Sequence, residues 1–189
     1  YSNVKKARIR KTKLFFENQD LFMQQLVFDI FKAINDSKNK GFKPTFRLNA
    51  YSDIKWEKIK ISSFGDATIF ELFPNVTFYD YTKIHNRKVP KNYQLTFSHY
   101  GDFSKTSDAL ENGFNSAIVF EKLPSKIWIN KKIYSVIDGD KTDLRIDEKI
   151  NGASVVVGLK FKGSKAKLND ALLDGFCISK NNKSLIWEV

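Results

Sequence analysis

The sequence predicts an α/β fold: a partial (β/α) barrel or an open, mostly parallel sheet with helices, extended by antiparallel strands towards the C-terminus. Three observations predict it. Helix-like and strand-like patterns alternate through the middle of the chain, and helical crossovers between strands favour parallel pairing. Three apolar alternating runs, TFRLNAYSD at 45–53, VTFYDYTK at 76–83 and YQLTFSHYGD at 93–102, each end in polar side chains. Beyond residue 126 the style changes to β-rich runs around Asn130-Lys131, the pattern of a hairpin.

The elements follow in order. In NVKKARIRKTKLFFE (3–17), six cations surround Val4, Ala7, Leu14 and Phe15 at the spacing of a basic amphipathic helix. Asn18 is the natural cap of a second helix, and Asp20 in its first turn complements the dipole. Phe22, Met23, Leu26, Val27, Ile30, Phe31 and Ile34 then form one broad apolar stripe running to about Asn39. Gly41 and Pro44 stop that helix. A strand over Phe46–Asn49, a helix over Asp66–Phe73 closed by Pro74, and strands over Val76–Tyr81 and Tyr93–Ser98 come next. Ser104 or Ser107 caps a short helix ending at Gly113, and Ser116–Glu121 is another strand. SVVVGLKFKG (154–163) is a strong strand. LLDGFCIS and SLIWEV supply one or two more, after a basic loop at 162–167.

At 189 residues the chain suits one domain: a helical part over 1–41, a βα core over 42–122 and a β-rich part over 123–189. No apolar run approaches the ~18 residues of a membrane span, and no secretory signal is visible, so a cytosolic setting is expected. The chain opens at Tyr1 inside a helical pattern, which implies a further segment upstream. Cys177 is the sole cysteine, which rules out an internal disulfide or a multi-cysteine metal site within these residues. With only His85 and His99 as histidines, a bound metal would rely on carboxylates and be a divalent cation such as Mg²⁺, Mn²⁺ or Ca²⁺. The net charge of +11 attracts polyanions. A lysine-rich surface composition explains it equally well.

Ligands of open α/β sheets bind beyond the carboxyl ends of the parallel strands, where each strand presents a residue at a rigid position. That rule collects Asn49, Ser52 and Asp53, then Asp80, Tyr81, Thr82 and Lys83, then Ser98 and His99. Asp53 or Asp80 would be general base or metal ligand, and Lys83 would neutralise an anion. Asn49, Ser52, Tyr81, Thr82, Ser98 and Arg145 would contact the ligand. In IDGDKTDLRID (137–147), Asp138, Asp140 and Asp143 are candidate cation ligands, although Asp-Gly-Asp is also ordinary turn chemistry and Arg145 suits an internal salt-bridge network. Lys5, Lys6, Arg8, Arg10, Lys11, Lys13 and Arg87 are the candidates for nucleic-acid phosphates, with Tyr51, Tyr81 and Tyr100 as stacking surfaces. No Walker loop, G-x-G-x-x-G or G-x-S-x-G is present. In its apolar GFCI context Cys177 reads as a small core residue.

The ordered words ARIRKTKLFFE, RLNAYSDIKWE, LFPNVTFYDYTK, NYQLTFS and VIDGDKTDLR resemble an uncharacterised bacteriophage and plasmid family, the gene-product-eighty-eight-like proteins, over roughly residues 3–178. The resemblance implies a viral or mobile-element origin and the host cytosol. It also suggests a likeness to radical-SAM-like half-barrels, whose iron–sulfur cluster would require cysteines supplied by an upstream part. It carries no established reaction. Two functions follow as expectations: an enzyme or enzyme-derived domain acting on a phosphate-bearing or nucleic-acid ligand, or a non-catalytic basic module gripping nucleic acid or an acidic host protein, including a host-defence protein that it inhibits.

Overall fold

Two helices open the chain where the capping and periodic signals place them. A computed structural model describes residues 2–182 and 184–187. The helical placement of Tyr1 and the last two residues of SLIWEV fall outside that range. Helix α1 spans Ser2–Glu17, and α2 spans Gln19–Asn39 with the Asn18 side chain accepting from the Leu21 N–H. Met23, Val27 and Ile30 form the buried stripe of α2. Phe31, expected on that stripe, is instead 58% exposed. Seven apolar residues over four turns span more than one face, and only part of such a band can turn inward.

The chain divides into two compact units. The first comprises residues up to Phe46 together with Ile54–Phe78. Besides α1 and α2 it holds β1 (Thr45–Phe46), two 3-10 turns (Trp56–Lys58 and Ser62–Phe64), and α3 (Ile69–Leu72). Strand β1 pairs in parallel with the first two residues of β2 (Thr77–Thr82). The expected helix over Asp66–Phe73 is reduced to that single turn, set by a capping box in which Thr68 and Glu71 satisfy each other's backbone donors. Trp56 is buried, with Phe22 stacked on it and Phe15 edge-on. Phe70 meets Phe78 edge-to-face.

The second unit comprises Arg47–Asp53 and everything from Tyr79 onward. Its elements are the rest of β2, β3 (Tyr93–Ser98), α4 (Phe103–Glu111), β4 (Asn115–Phe120), β5 (Lys126–Ile129), β6 (Lys132–Asp138), β7 (Val156–Lys160), α5 (Lys165–Leu173), β8 (Cys177–Ile178) and β9 (Ile186–Trp187). Strand order is β2-β3-β4-β7-β6-β5-β9, with β8 also on β4. Strand β4 is parallel to β3, β7 and β8, and β7 is parallel to β6. The sheet is open and mostly parallel. Of the described strand pairs, the β5–β6 hairpin and the β5–β9 pair are antiparallel, so the expected antiparallel C-terminal part is smaller than its sequence suggests. Asn130 and Lys131 both take positive φ, as a two-residue primed turn requires.

Two further expectations change. Asp102, not a serine, caps α4, because its carboxylate reaches the N–H groups of both Ser104 and Lys105. The basic stretch after β7 contains α5, capped by Ser164 rather than continuing as loop. In the core, Ile118 and Phe120 of β4 meet Leu110, Ile127, Ile129, Val156 and Ile178. Burial on both faces explains why β4 and β7 read as near-continuous apolar runs.

Candidate strand-end ligand site

Strand-end polar residues gather into two groups of the second unit that differ in burial. In the first, Asp80 is completely buried in β2. Its Oδ1 accepts the Asn49 N–H at 2.7 Å and its Oδ2 accepts the Tyr93 hydroxyl at 2.8 Å. The Leu48 N–H is a third donor. Burial pushes the Asp80 carboxyl above its ordinary value, against the pull of these donors and of Arg47. Asn49 is buried as well, and its Oδ1 accepts the Ser52 hydroxyl at 2.8 Å.

Asp53 is the next acceptor. It takes the Arg87 Nη1 at 2.9 Å on one oxygen, and the Thr82 hydroxyl (3.1 Å) and Lys83 N–H (2.8 Å) on the other. The Arg87 side chain is only 1% exposed, so this residue, expected on a basic loop facing a polyanion, is an internal tie instead. Tyr93 lies beneath the Arg87 guanidinium, 5.7 Å from ring centroid to Cζ. Lys83 is exposed and its ammonium stands 5.5 Å from the Tyr100 ring. Ser98 ends β3 in register with Ala117. Among the described hydrogen bonds its side chain joins neither group.

The second group opens onto a cavity of about 550 Å³ beyond the carboxyl ends of β4, β6 and β7. Val119 and Leu159 contribute from β4 and β7, and Gly139 begins the connection after β6. Gly139 must lack a side chain: a Cβ there would lie 2.5 Å from Val157 Cγ1. Four cations line the cavity (Arg47, Arg145, Lys160 and Lys162) against two carboxylates (Asp140 and Asp143), beside the rings of Tyr81, Phe161 and Phe176.

These charges are partly paired. Arg47 Nη1 meets Asp143 Oδ2 at 2.8 Å and its guanidinium lies 4.9 Å from the Tyr81 ring centroid. Lys162 meets Asp140 at 2.8 Å, with the ammonium end well exposed. That lysine, together with the Lys160 N–H, holds the Asp140 carboxyl below its ordinary range. Arg145 is buried and fully engaged. It donates to the Tyr81 hydroxyl (2.8 Å), to Glu148 (2.7 Å), and to the carbonyls of Gly139 and Thr142. It thereby organises the 139–148 connection as the internal salt-bridge network its sequence context suggested.

Asp138, Asp140 and Asp143 are not brought together as a ligand set. Asp138 accepts the Asp140 N–H, Asp140 pairs with Lys162, and Asp143 pairs with Arg47. Among the described residues no group of three His, Cys, Asp or Glu is placed to hold a metal. Lys5, Lys6, Arg8, Arg10, Lys11 and Lys13 are all exposed on α1 in the other unit. Cys177 is buried, and burial raises its thiol to about 11, in keeping with a core residue. No described helix is long and apolar enough to cross a membrane.

Arg47, Phe161 and Phe176 were not legible as site residues. Arg47 lies inside an apolar run, and its partner Asp143 is 96 positions away. The usable signal was the strong strand that ends at Lys160 and the basic loop that follows it with Lys162.

Fold and cavity define the chain as an open-sheet, mostly parallel α/β protein with a cationic recess at the strand ends. The chain belongs to the Gene product 88 family, whose model matches residues 1–180, as the resemblance implied. No curated protein and no solved structure matches it significantly.

Proposed function

We propose that this protein binds a phosphorylated nucleoside, free or as the unpaired end of a nucleic-acid strand, in the strand-end recess. What carries the reading is one cavity that presents three aromatic rings beside two solvent-reaching lysines, Lys162 paired only with Asp140 and Lys160 outside the described ion pairs, while Arg47 and Arg145 are committed to Asp143 and Glu148. Phosphate suits Lys160 and Lys162, whose ammonium groups reach solvent and stand at the end of a rigid strand. A base suits the rings of Tyr81, Phe161 and Phe176, because stacking accepts any planar heterocycle. The volume falls within the several hundred Å³ typical of small-molecule sites.

Binding is favoured over catalysis by the state of the carboxylates. Asp140 is held as an anion by Lys162, which makes it a weak proton acceptor. Asp53 and Asp80, the expected acids and bases, spend their lone pairs on internal donors.

The test is calorimetric titration of the full chain with ADP and with a twelve-residue single-stranded oligonucleotide, repeated on Lys160→Gln/Lys162→Gln. Saturable binding that weakens at least tenfold in the double variant is expected. For the strand, log K should fall by ~0.7 per neutralised phosphate with log salt. Absence of binding to both probes, or binding indifferent to the double substitution, would contradict the proposal.

A further inference from the structure

The helical unit carries an apolar feature that the strand-end site does not use. Along α2, Phe28 is 65% exposed and Phe31 58% exposed, and just beyond the helix Phe42 is 58% exposed. Phe28, Phe31 and Asn35 recur at the three- and four-residue spacing of one helix face. Phe31, Ile34 and Phe42 line a groove of about 710 Å³ whose opposite wall is Leu72, Phe73 and Val76. Every one of these residues belongs to the first unit. Three large aromatics exposed beside a preformed apolar groove lose burial that a partner would restore.

Charge says which partner. Lys38 and Lys43 are the charged residues lining the groove, and no carboxylate lines it. The chain as a whole carries +11, so a second copy would approach against its own field. The exposed helix this chain could itself offer, α1, has six cations and a single carboxylate, Glu17, which is the wrong sign for a lysine-edged groove. An acidic amphipathic segment satisfies both demands: apolar side chains three and four residues apart fill the groove, and flanking Asp or Glu meets Lys38 and Lys43.

We infer that the α2–Phe42 groove is a docking site for an acidic, amphipathic segment of another protein, independent of the strand-end recess. The groove takes the apolar face and the two lysines select for negative charge.

The test is selection of random sixteen-residue peptides on the immobilised full chain, counter-selected on Phe31→Ser/Phe42→Ser. Both phenylalanines are exposed, so the variant should keep its fold, checked by its circular dichroism and melting temperature. Enriched peptides should carry net negative charge with aromatic or aliphatic residues at helical spacing. The double serine variant should bind them at least tenfold more weakly. Lys38→Glu/Lys43→Glu should lose the acidic peptides and gain charge-reversed versions of them. Enrichment of neutral or basic peptides, or peptides that bind the serine variant equally, would overturn the inference. So would sedimentation showing a wild-type dimer that the serine variant dissolves, since a second copy would then be the occupant. Loss of ADP binding by Lys160→Gln/Lys162→Gln has no bearing on this result.

Discussion

Asp80 and Asp140 are both aspartates near the carboxyl end of a parallel strand, Asp80 two residues inside β2 and Asp140 two residues past β6, yet they live under opposite conditions. Asp80 has no exposed surface, is surrounded by neutral donors, and its carboxyl is pushed up by burial. Asp140 sits at a cavity edge, is paired with an exposed lysine, and its carboxyl is pulled down. The difference teaches how to read polar strand ends. A polar residue whose bonding capacity is saturated by its own chain holds the fold together. One paired with an exposed lysine at the edge of an open recess leaves that lysine within reach of a ligand.

The sharpest way to break this comparison is to remove a member of the buried group. Asp80→Ala would leave the Leu48 and Asn49 N–H groups and the Tyr93 hydroxyl without their acceptor. A loss of about 3 kcal/mol is expected in urea unfolding, because stranded buried donors cost roughly 1–3 kcal/mol each and partial rehydration recovers some of it. A loss under about 1 kcal/mol would mean that Asp80 is not structural. Arg87→Met should cost less, about 2 kcal/mol, since Asp53 is partly exposed and keeps its Thr82 and Lys83 donors. Nucleotide affinity of the folded Arg87→Met protein should be unchanged.

A pH titration sharpens the same contrast at the end of β3. His99 is buried, with Nδ1 2.7 Å from the Thr106 hydroxyl, and burial lowers its pKa from 6.5. The Thr106 hydroxyl is free to accept because its own proton goes to the Asp102 carbonyl. The folded state therefore prefers neutral His99. Its contribution to stability is fully present above about pH 6.5 and is lost as pH falls below that value. Asp80 and Glu148, both raised by burial, act in the opposite sense: their contribution declines as pH rises above their unfolded values. The wild-type urea midpoint minus that of His99→Gln should thus shrink between pH 7.5 and pH 5. A difference constant with pH would contradict the burial account. The smallest stability effect belongs to the open group. Lys160→Gln/Lys162→Gln should leave the urea midpoint unchanged within its measurement error, as exposed ion pairs contribute little, while weakening ligand binding at least tenfold.

Local signals made much of the fold legible. The Asn18 cap, the α2 stripe and the Asn130-Lys131 turn all act within a few residues, where propensity and sterics decide. Helix α5 was hidden because KAKLNDALL looks like a basic loop unless Ser164 is recognised as its cap. At the site, Asn49 meets Asp80 although the expected strand over Phe46–Asn49 is only Thr45–Phe46 and Asp80 lies inside β2, and the burial of both was not legible. That depends on Tyr93 and Leu48 closing over the carboxylate. Arg87 looked like a surface cation because nothing local reveals Asp53, 34 positions earlier. Long-range pairing of charges is the part that a linear reading cannot supply.

The central claim is that the recess at the ends of β4, β6 and β7, and not the basic face of α1, is where an anionic ligand binds. Amide chemical-shift mapping of the full chain during titration with ADP tests it most directly. Saturable shifts are expected at Arg47, Tyr81, the 139–145 connection and 159–162. Shifts concentrated on residues 5–13 of α1, or none at millimolar ADP, would contradict it.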